Sequence, residues 1–224
     1  MDDVRAGLAA AADPRRAPAM AAYMRDQFPF FGVTAPERRR LLRAASAEVG
    51  PLGPDDVLAA ARDLWLGDER ELQYAGMDLL RAHARSLPTE ALPALAWCAT
   101  TKPWWDTVDD LAQHTIGALV LADRGRLRPV LDAWAAGPDL WLARTAILHQ
   151  NRYRDDVDDE QLFAYCTLRA GDTDFFIRKA IGWALRERSR RNPDGVERFV
   201  HEHRDELSGL SRREALKHLA PTER

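Results

Sequence analysis

Apolar residues recur three and four positions apart along most of the chain, and alternating β-branched runs are almost absent, so the pattern predicts helices throughout. The stretch from Thr173 to Arg191, TDFFIRKAIGWALRERSRR, shows the rule. Ile177, Ile181 and Ala184 form a core stripe, while Phe176, Lys179, Trp183, Arg186 and Arg190 line another face. Gly50-Pro51, Gly53-Pro54, Gly137-Pro138 and Asn192-Pro193 divide the pattern into helices of ordinary length. Thr34-Ala-Pro-Glu37 and Ser211-Arg-Arg-Glu214 read as capping boxes, in which hydroxyl and carboxylate each satisfy an orphan amide at a helix start.

The helical pattern also repeats. Arg144-Thr-Ala-Ile147, Arg178-Lys-Ala-Ile181 and Arg213-Glu-Ala-Leu216 share the form Arg-x-Ala-apolar, spaced 34 and 35 residues apart, and each follows a large apolar residue three positions upstream (Trp141, Phe175, Leu210). Ala112 and Ala75 extend the series upstream. A period in the thirties, filled by two helices per unit, is the signature of a stacked α-solenoid. No linker-like segment interrupts the chain, so the expectation is an all-α protein forming one curved domain over residues 1–224.

Composition supports helices: 37 of the 224 residues are Ala, the residue that loses least side-chain entropy in a helix. Cys98 and Cys166 lie far apart and form no ligand-like pair, which suits a reducing compartment. The N-terminal sequence fails as a secretory signal and no apolar run reaches membrane-spanning length, so the expected location is a bacterial cytosol. Charge complicates the picture. The 32 basic and 35 acidic residues leave −3, which taken alone speaks against a nucleic-acid partner. The distribution is uneven, however: Arg154 to Asp174 carries 2 basic and 7 acidic residues, and Phe175 to Arg224 carries 12 and 8.

Two segments could carry chemistry. The aromatic and cationic face of the helix around Lys179 is what a phosphate backbone with stacked bases calls for; the alternative is a solvated face with Trp183 tucked into the next repeat. In Lys102-Pro-Trp-Trp-Asp-Thr-Val-Asp109, Pro103 suits a helix's first turn and Asp106 is an ordinary first-turn acid. Trp105 and Asp109 then stand one above the other on a single face. Asp109 either serves chemistry or pairs with an arginine of the neighbouring repeat, for which Arg144 is the natural candidate. No phosphate loop, GxSxG elbow or HExxH occurs, and His201-Glu-His203 puts its imidazoles on different helix faces, so no metal site is expected.

Taken in order, MAAYMRDQF (Met20 to Phe28), PERR (Pro36 to Arg39), KPWWDTVD (Lys102 to Asp109), WLARTAIL (Trp141 to Leu148), FFIRKAIGWALRE (Phe175 to Glu187) and SRREALKH (Ser211 to His218) resemble the AlkD-like family of DNA alkylation-repair proteins over residues 18–219. The resemblance implies a solenoid of HEAT-like antiparallel helix pairs with a concave DNA-binding face. It also implies a monofunctional DNA glycosylase that hydrolyses the N-glycosidic bond of cationic N3- and N7-alkylated purines in duplex DNA, without a cofactor. Trp105, Asp109 and Trp183 match the family's lesion-site trio and Arg144 its backbone-anchoring arginine; Tyr23, Arg39, Arg186 and Arg213 match positions along the DNA channel. The family's Thr-Pro-Glu-Arg-Arg segment here begins with Ala35, the threonine being displaced to Thr34.

The rival expectation is a helical-repeat scaffold that binds DNA or a protein and performs no chemistry. Convergence of Trp105, Asp109, Arg144 and Trp183 on one surface, with the carboxylate accessible and unpaired, favours the enzyme. Burial of Asp109 in a structural ion pair favours the scaffold. For a protein that must wrap around a duplex a monomer is the expectation, with Arg39, Arg144, Lys179, Arg186 and Arg213 left free to make a positive inner face.

Overall fold

The computed structural model describes residues 1–219, all of whose regular secondary structure is helical. The backbone divides into two compact units, residues 1–94 and residues from 95 onward. The first holds α1 (Asp2–Ala10), α2 (Ala17–Tyr23), α3 (Ala35–Val49), α4 (Pro54–Leu66) and α5 (Arg70–His83), and α6 (Leu92–Thr100) begins at its end. Val4 and Leu8 of α1, Leu42 and Ala45 of α3, and Ala61, Leu64 and Trp65 of α4 are buried at the three- and four-residue spacing that predicts them. Gly76 lets α5 approach α4: a Cβ there would lie 3.0 Å from the Ala61 carbonyl oxygen.

The second unit holds α7 (Trp105–Asp110), a wider π-helical segment (Leu111–Ile116), α8 (Gly117–Ala122), α9 (Arg124–Ala136), α10 (Leu140–Leu148), α11 (Asp159–Leu168), α12 (Phe175–Ser189), α13 (Pro193–Glu202) and α14 (Gly209–Ala215). Helices α10, α12 and α14 stack in series, α10 also packs on α7, and α9, α11 and α13 follow as the second helix of each period. Here the repeat has a physical basis. Ala146, Ala180 and Ala215 are at most 1% exposed, as are Ala112 and, in the first unit, Ala75. A methyl at that position is what lets one helix lie against the next.

The glycine and proline punctuation holds: Gly50 ends α3 at φ 83°, Gly53 precedes Pro54 at the start of α4, and Asn192 caps α13 ahead of Pro193. The capping boxes do not. Thr34 precedes α3 without a side-chain bond to it, and Glu37 pairs with Arg40 instead, Nη2 to Oε1 at 2.7 Å. Ser208, not Ser211, caps α14; Ser211 lies inside the helix and donates its hydroxyl to the Arg178 carbonyl at 2.9 Å. Among the side-chain caps that form, Asp139 on α10, Asp174 on α12 and Ser208 on α14 are themselves spaced 35 and 34 residues apart. Among the described residues no helix is long and apolar enough to cross a membrane.

Candidate functional site

The turn that enters α7 sets the site. Lys102 takes a left-handed φ of 48°, costly for a residue with a Cβ, and leads into Pro103 and an extended Trp104. Helix α7 therefore begins at Trp105, two residues later than a first-position Pro103 would give, and Trp104 takes the N-cap position. Its carbonyl accepts from the amides of Thr107 and Val108 at 3.2 and 3.1 Å. Asp106 stands in the first turn, as expected, and Asp109 follows one turn after Trp105.

Asp109 is 7% exposed and Arg144, from α10, is 3% exposed. The guanidinium meets the carboxylate along a parallel edge, Nε to Oδ1 and Nη2 to Oδ2 both at 2.7 Å, while Nη1 donates to the Phe176 carbonyl at the start of α12. Three helices are thus tied by one side chain. Burial pushes the Asp109 carboxyl above its ordinary value; the hydrogen bonds and charge of Arg144 oppose that, and Asp106 adds to it. The carboxylate is therefore neither accessible nor unpaired, and the pairing with Arg144 is the arrangement that favours a scaffold over an enzyme.

Aromatic side chains from the N-cap of α7 and from α10 and α12 cluster beside Arg144. Trp104, Trp141 and Phe176 stand with ring centroids 5.1 to 5.9 Å apart, all half-buried, and Arg144 lies 5.9 Å from the Phe176 ring. Trp104 and Trp141 were not singled out by sequence as site residues. Their signal was available, in the doubled tryptophan before Asp106 and in the large residue that precedes each repeat arginine. Trp105 and Trp183 are half-buried, the first on α7 and the second on α12.

The cationic residues are less free than their sequence positions suggest. Lys179 Nζ and Arg186 Nη1, on α12, reach the two oxygens of Glu214 on α14 at 2.7 and 2.5 Å. Lys179 first, and Arg186 after it, hold the Glu214 carboxyl below the ordinary range against the opposing effect of burial. In the first unit, Arg39 is half-exposed and shares Asp78 with the buried Arg38, at 3.4 and 3.0 Å. Tyr23 ends α2 and is 71% exposed. The expectation of five free cations is corrected: Arg39, Arg144, Lys179 and Arg186 all carry an acidic partner, whereas exposed Arg213 shows none among the described residues. Acidic side chains one period away supply most of these partners.

The sequence profile of a family described as DNA alkylation repair enzyme matches residues 4–219. Among solved structures, one titled a predicted DNA alkylation repair enzyme from Enterococcus faecalis is similar at a TM-score of 0.86 and 30% identity, covering 94% of this chain and 98% of its own. The protein smu.31 from Streptococcus mutans UA159 shares the fold at a TM-score of 0.62 and 16% identity, covering 80% of this chain and 91% of its own. No curated protein matches.

Proposed function

Since the chain belongs to the DNA alkylation repair enzyme family, we propose that it is a DNA glycosylase that releases cationic N3- and N7-alkylated purines from duplex DNA. It works as a monomer, with both compact units forming one functional domain. What carries the reading is the family match over residues 4–219. The buried Asp109–Arg144 pair by itself favours a scaffold, so the enzyme reading requires that Asp109 still reach the sugar through the oxygen lone pairs that Arg144 leaves open.

Alkylation at N3 of adenine or N7 of guanine makes the base a cation. The glycosidic electron pair then leaves with the base, which departs neutral, so no strong general acid is required. Positive charge builds on the deoxyribose, and water adds at the anomeric carbon with loss of a proton. A carboxylate beside that carbon stabilises the charge and orients the water. Arg144 occupies one acceptor site on each Asp109 oxygen and leaves further lone pairs to accept from water. Unit charges at about 4 Å with an effective dielectric near 20 interact by ~4 kcal/mol, or roughly a thousandfold in rate if specific to the transition state. Trp105 and Trp183 contribute recognition of the cationic base at ~0.5–2 kcal/mol each. Because the rings also bind the ground state, Asp109 is the catalytic group.

The test is single-turnover excision from a duplex carrying one 7-methylguanine. Wild type is expected to release the base, and Asp109→Asn to lose about a thousandfold in rate while still binding the duplex. Removing one partner of a buried pair costs ~3–5 kcal/mol of stability, so the double change Asp109→Asn with Arg144→Met, which removes both charges, serves as the folded control. Unchanged excision by these variants sinks the reading. The buried ion pair supports a second one, in which the protein binds damaged DNA without excising bases; duplex binding by wild type with no base release would select it.

A further inference from the structure

The first unit contains a preformed pocket that the Asp109 chemistry does not use. Its cavity volume is about 390 Å³, within the ~300–1,000 Å³ of small-molecule sites. Met20 of α2 and Met24, which caps it, line the pocket with the exposed Tyr23, and Phe30 and Tyr74 form tilted walls with ring centroids 6.3 Å apart. Arg15 and Arg16 line the rim.

The loop that forms the Phe30 wall is held by buried hydrogen bonds. The fully buried Glu71 carboxylate accepts the amides of Phe31, Gly32 and Val33 at 3.0, 2.8 and 3.0 Å, which fixes the loop that presents Phe30. Gly32, at φ 87°, is required because a Cβ would strike the Asp13 carbonyl oxygen. Asp13 donates its amide to the Phe31 carbonyl at 2.8 Å and accepts the Arg15 amide on Oδ1 at 2.9 Å, tying the arginine turn to the same loop. The guanidinium carbons of Arg38 and Arg70 lie 4.9 and 5.7 Å from the Tyr74 ring centroid. The ring thus borders both these cations and the pocket. At the rim, Arg15 and Arg16 share a single acid, Asp13, at 3.7 and 3.1 Å, and the Arg15 side chain is 93% exposed. One positive charge is left over beside an aromatic, methionine-lined cavity.

We propose that this pocket receives one unstacked base of a DNA strand, with a flanking phosphate between Arg15 and Arg16. Flat walls accept any base by stacking, methionine adapts to its outline, and the surplus cation supplies the phosphate contact. Charge complementarity favours a nucleotide over an apolar peptide. The inference rests on the DNA-binding reading above and extends it to a site on the first unit.

Ala19 is an exposed member of the lining on α2, so Ala19→Trp fills the pocket without disturbing the core. Affinity is compared for a duplex carrying one unpaired adenine and the same duplex fully paired. Wild type is expected to prefer the unpaired base by about tenfold, equivalent to ~1.4 kcal/mol. Ala19→Trp should erase the preference and leave affinity for the paired duplex within about twofold, and Arg15→Ala with Arg16→Ala should reduce the preference with a shallower salt dependence. Paired-duplex binding without any preference, or a preference that survives Ala19→Trp, overturns the pocket assignment alone. Binding of deoxyadenosine monophosphate by wild type but not by Ala19→Trp, with no duplex preference, overturns the strand in favour of a free nucleotide. Binding of neither duplex overturns the DNA reading itself.

Discussion

Arg144 commits Nε and both terminal nitrogens inside the protein, two bonds to Asp109 and one to the Phe176 carbonyl, which leaves it poorly placed to grip a phosphate without first letting go. Its role at rest is to hold a carboxylate in a dry place. His149 is a second buried ionisable group of the same unit. Its Nδ1 stands 2.7 Å from the Ala146 carbonyl and so carries the proton, and Tyr153 meets the ring edge-on at 5.7 Å. Burial holds its pKa down to about 4 from an ordinary 6.5. The unfolded chain thus takes up a proton near pH 6.5 and the folded one only near 4. Stability from this group is complete above pH 6.5 and is lost as pH falls across that interval, by ~3 kcal/mol in all. Urea midpoints measured from pH 7 to 4 should fall in wild type and fall much less in His149→Gln; a wild-type midpoint flat over that range would contradict the assignment.

At the level of the helix, the glycine in the KAIGW segment has a packing reason. A Cβ on Gly182 would overlap the Glu214 side chain and sit 3.0 Å from the Ser211 carbonyl oxygen, so α14 lies on α12 only because residue 182 has no side chain. Gly182→Ala gains up to ~1 kcal/mol in helix propensity and costs ~1–3 kcal/mol in overpacking, so it should lower the urea midpoint. Gly125→Ala in α9, where a Cβ meets nothing within 4 Å, should raise it instead. Equal effects from the two changes would discount the packing argument. The same contrast explains what sequence could and could not reveal. The stripe Ile177, Ile181 and Ala184 was legible because burial enforces periodicity, and all three are at most 2% exposed. The buried repeat alanines were legible for the same reason. The box at Thr34 located the start of α3 but not its bonds, because Glu37 goes to Arg40 instead. The box at Ser211 missed the helix start by three residues, whereas Asp139, Asp174 and Ser208 cap at the repeat spacing and could have been found by aligning the periods. The π-helical turn after Asp110 left no compositional mark in LAQHTI.

Over the whole molecule, a charge of −3 is a poor measure of what DNA would meet, because several of the acids are paired with arginines. The acidic run 154–174 is an example. Asp155, Asp158 and Asp159 pair with Arg191, Arg128 and Arg188 at 3.2, 3.0 and 2.5 Å, so much of its charge is cancelled across neighbouring helices. Glu71 and Asp63 of the first unit are likewise engaged, by the 31–33 amides and by Arg5. Sequence could count these charges but could not pair them, since partners lie about one repeat apart. Glu214 is where the pairing bears on function. It holds Lys179 and Arg186, the two cations of α12 best suited to a phosphate, one on each oxygen. A phosphate arriving there must compete with a carboxylate already in place. Glu214→Gln keeps the shape and the α12–α14 contact but removes the competing charge. It should therefore tighten duplex binding severalfold at low salt and steepen the slope of log K against log salt by about one, as expected for one more phosphate neutralised. Titrations of both proteins between about 50 and 200 mM salt, the range over which phosphate contacts dominate affinity, decide the matter. An unchanged slope would mean that Lys179 and Arg186 serve the α12–α14 contact and meet no phosphate.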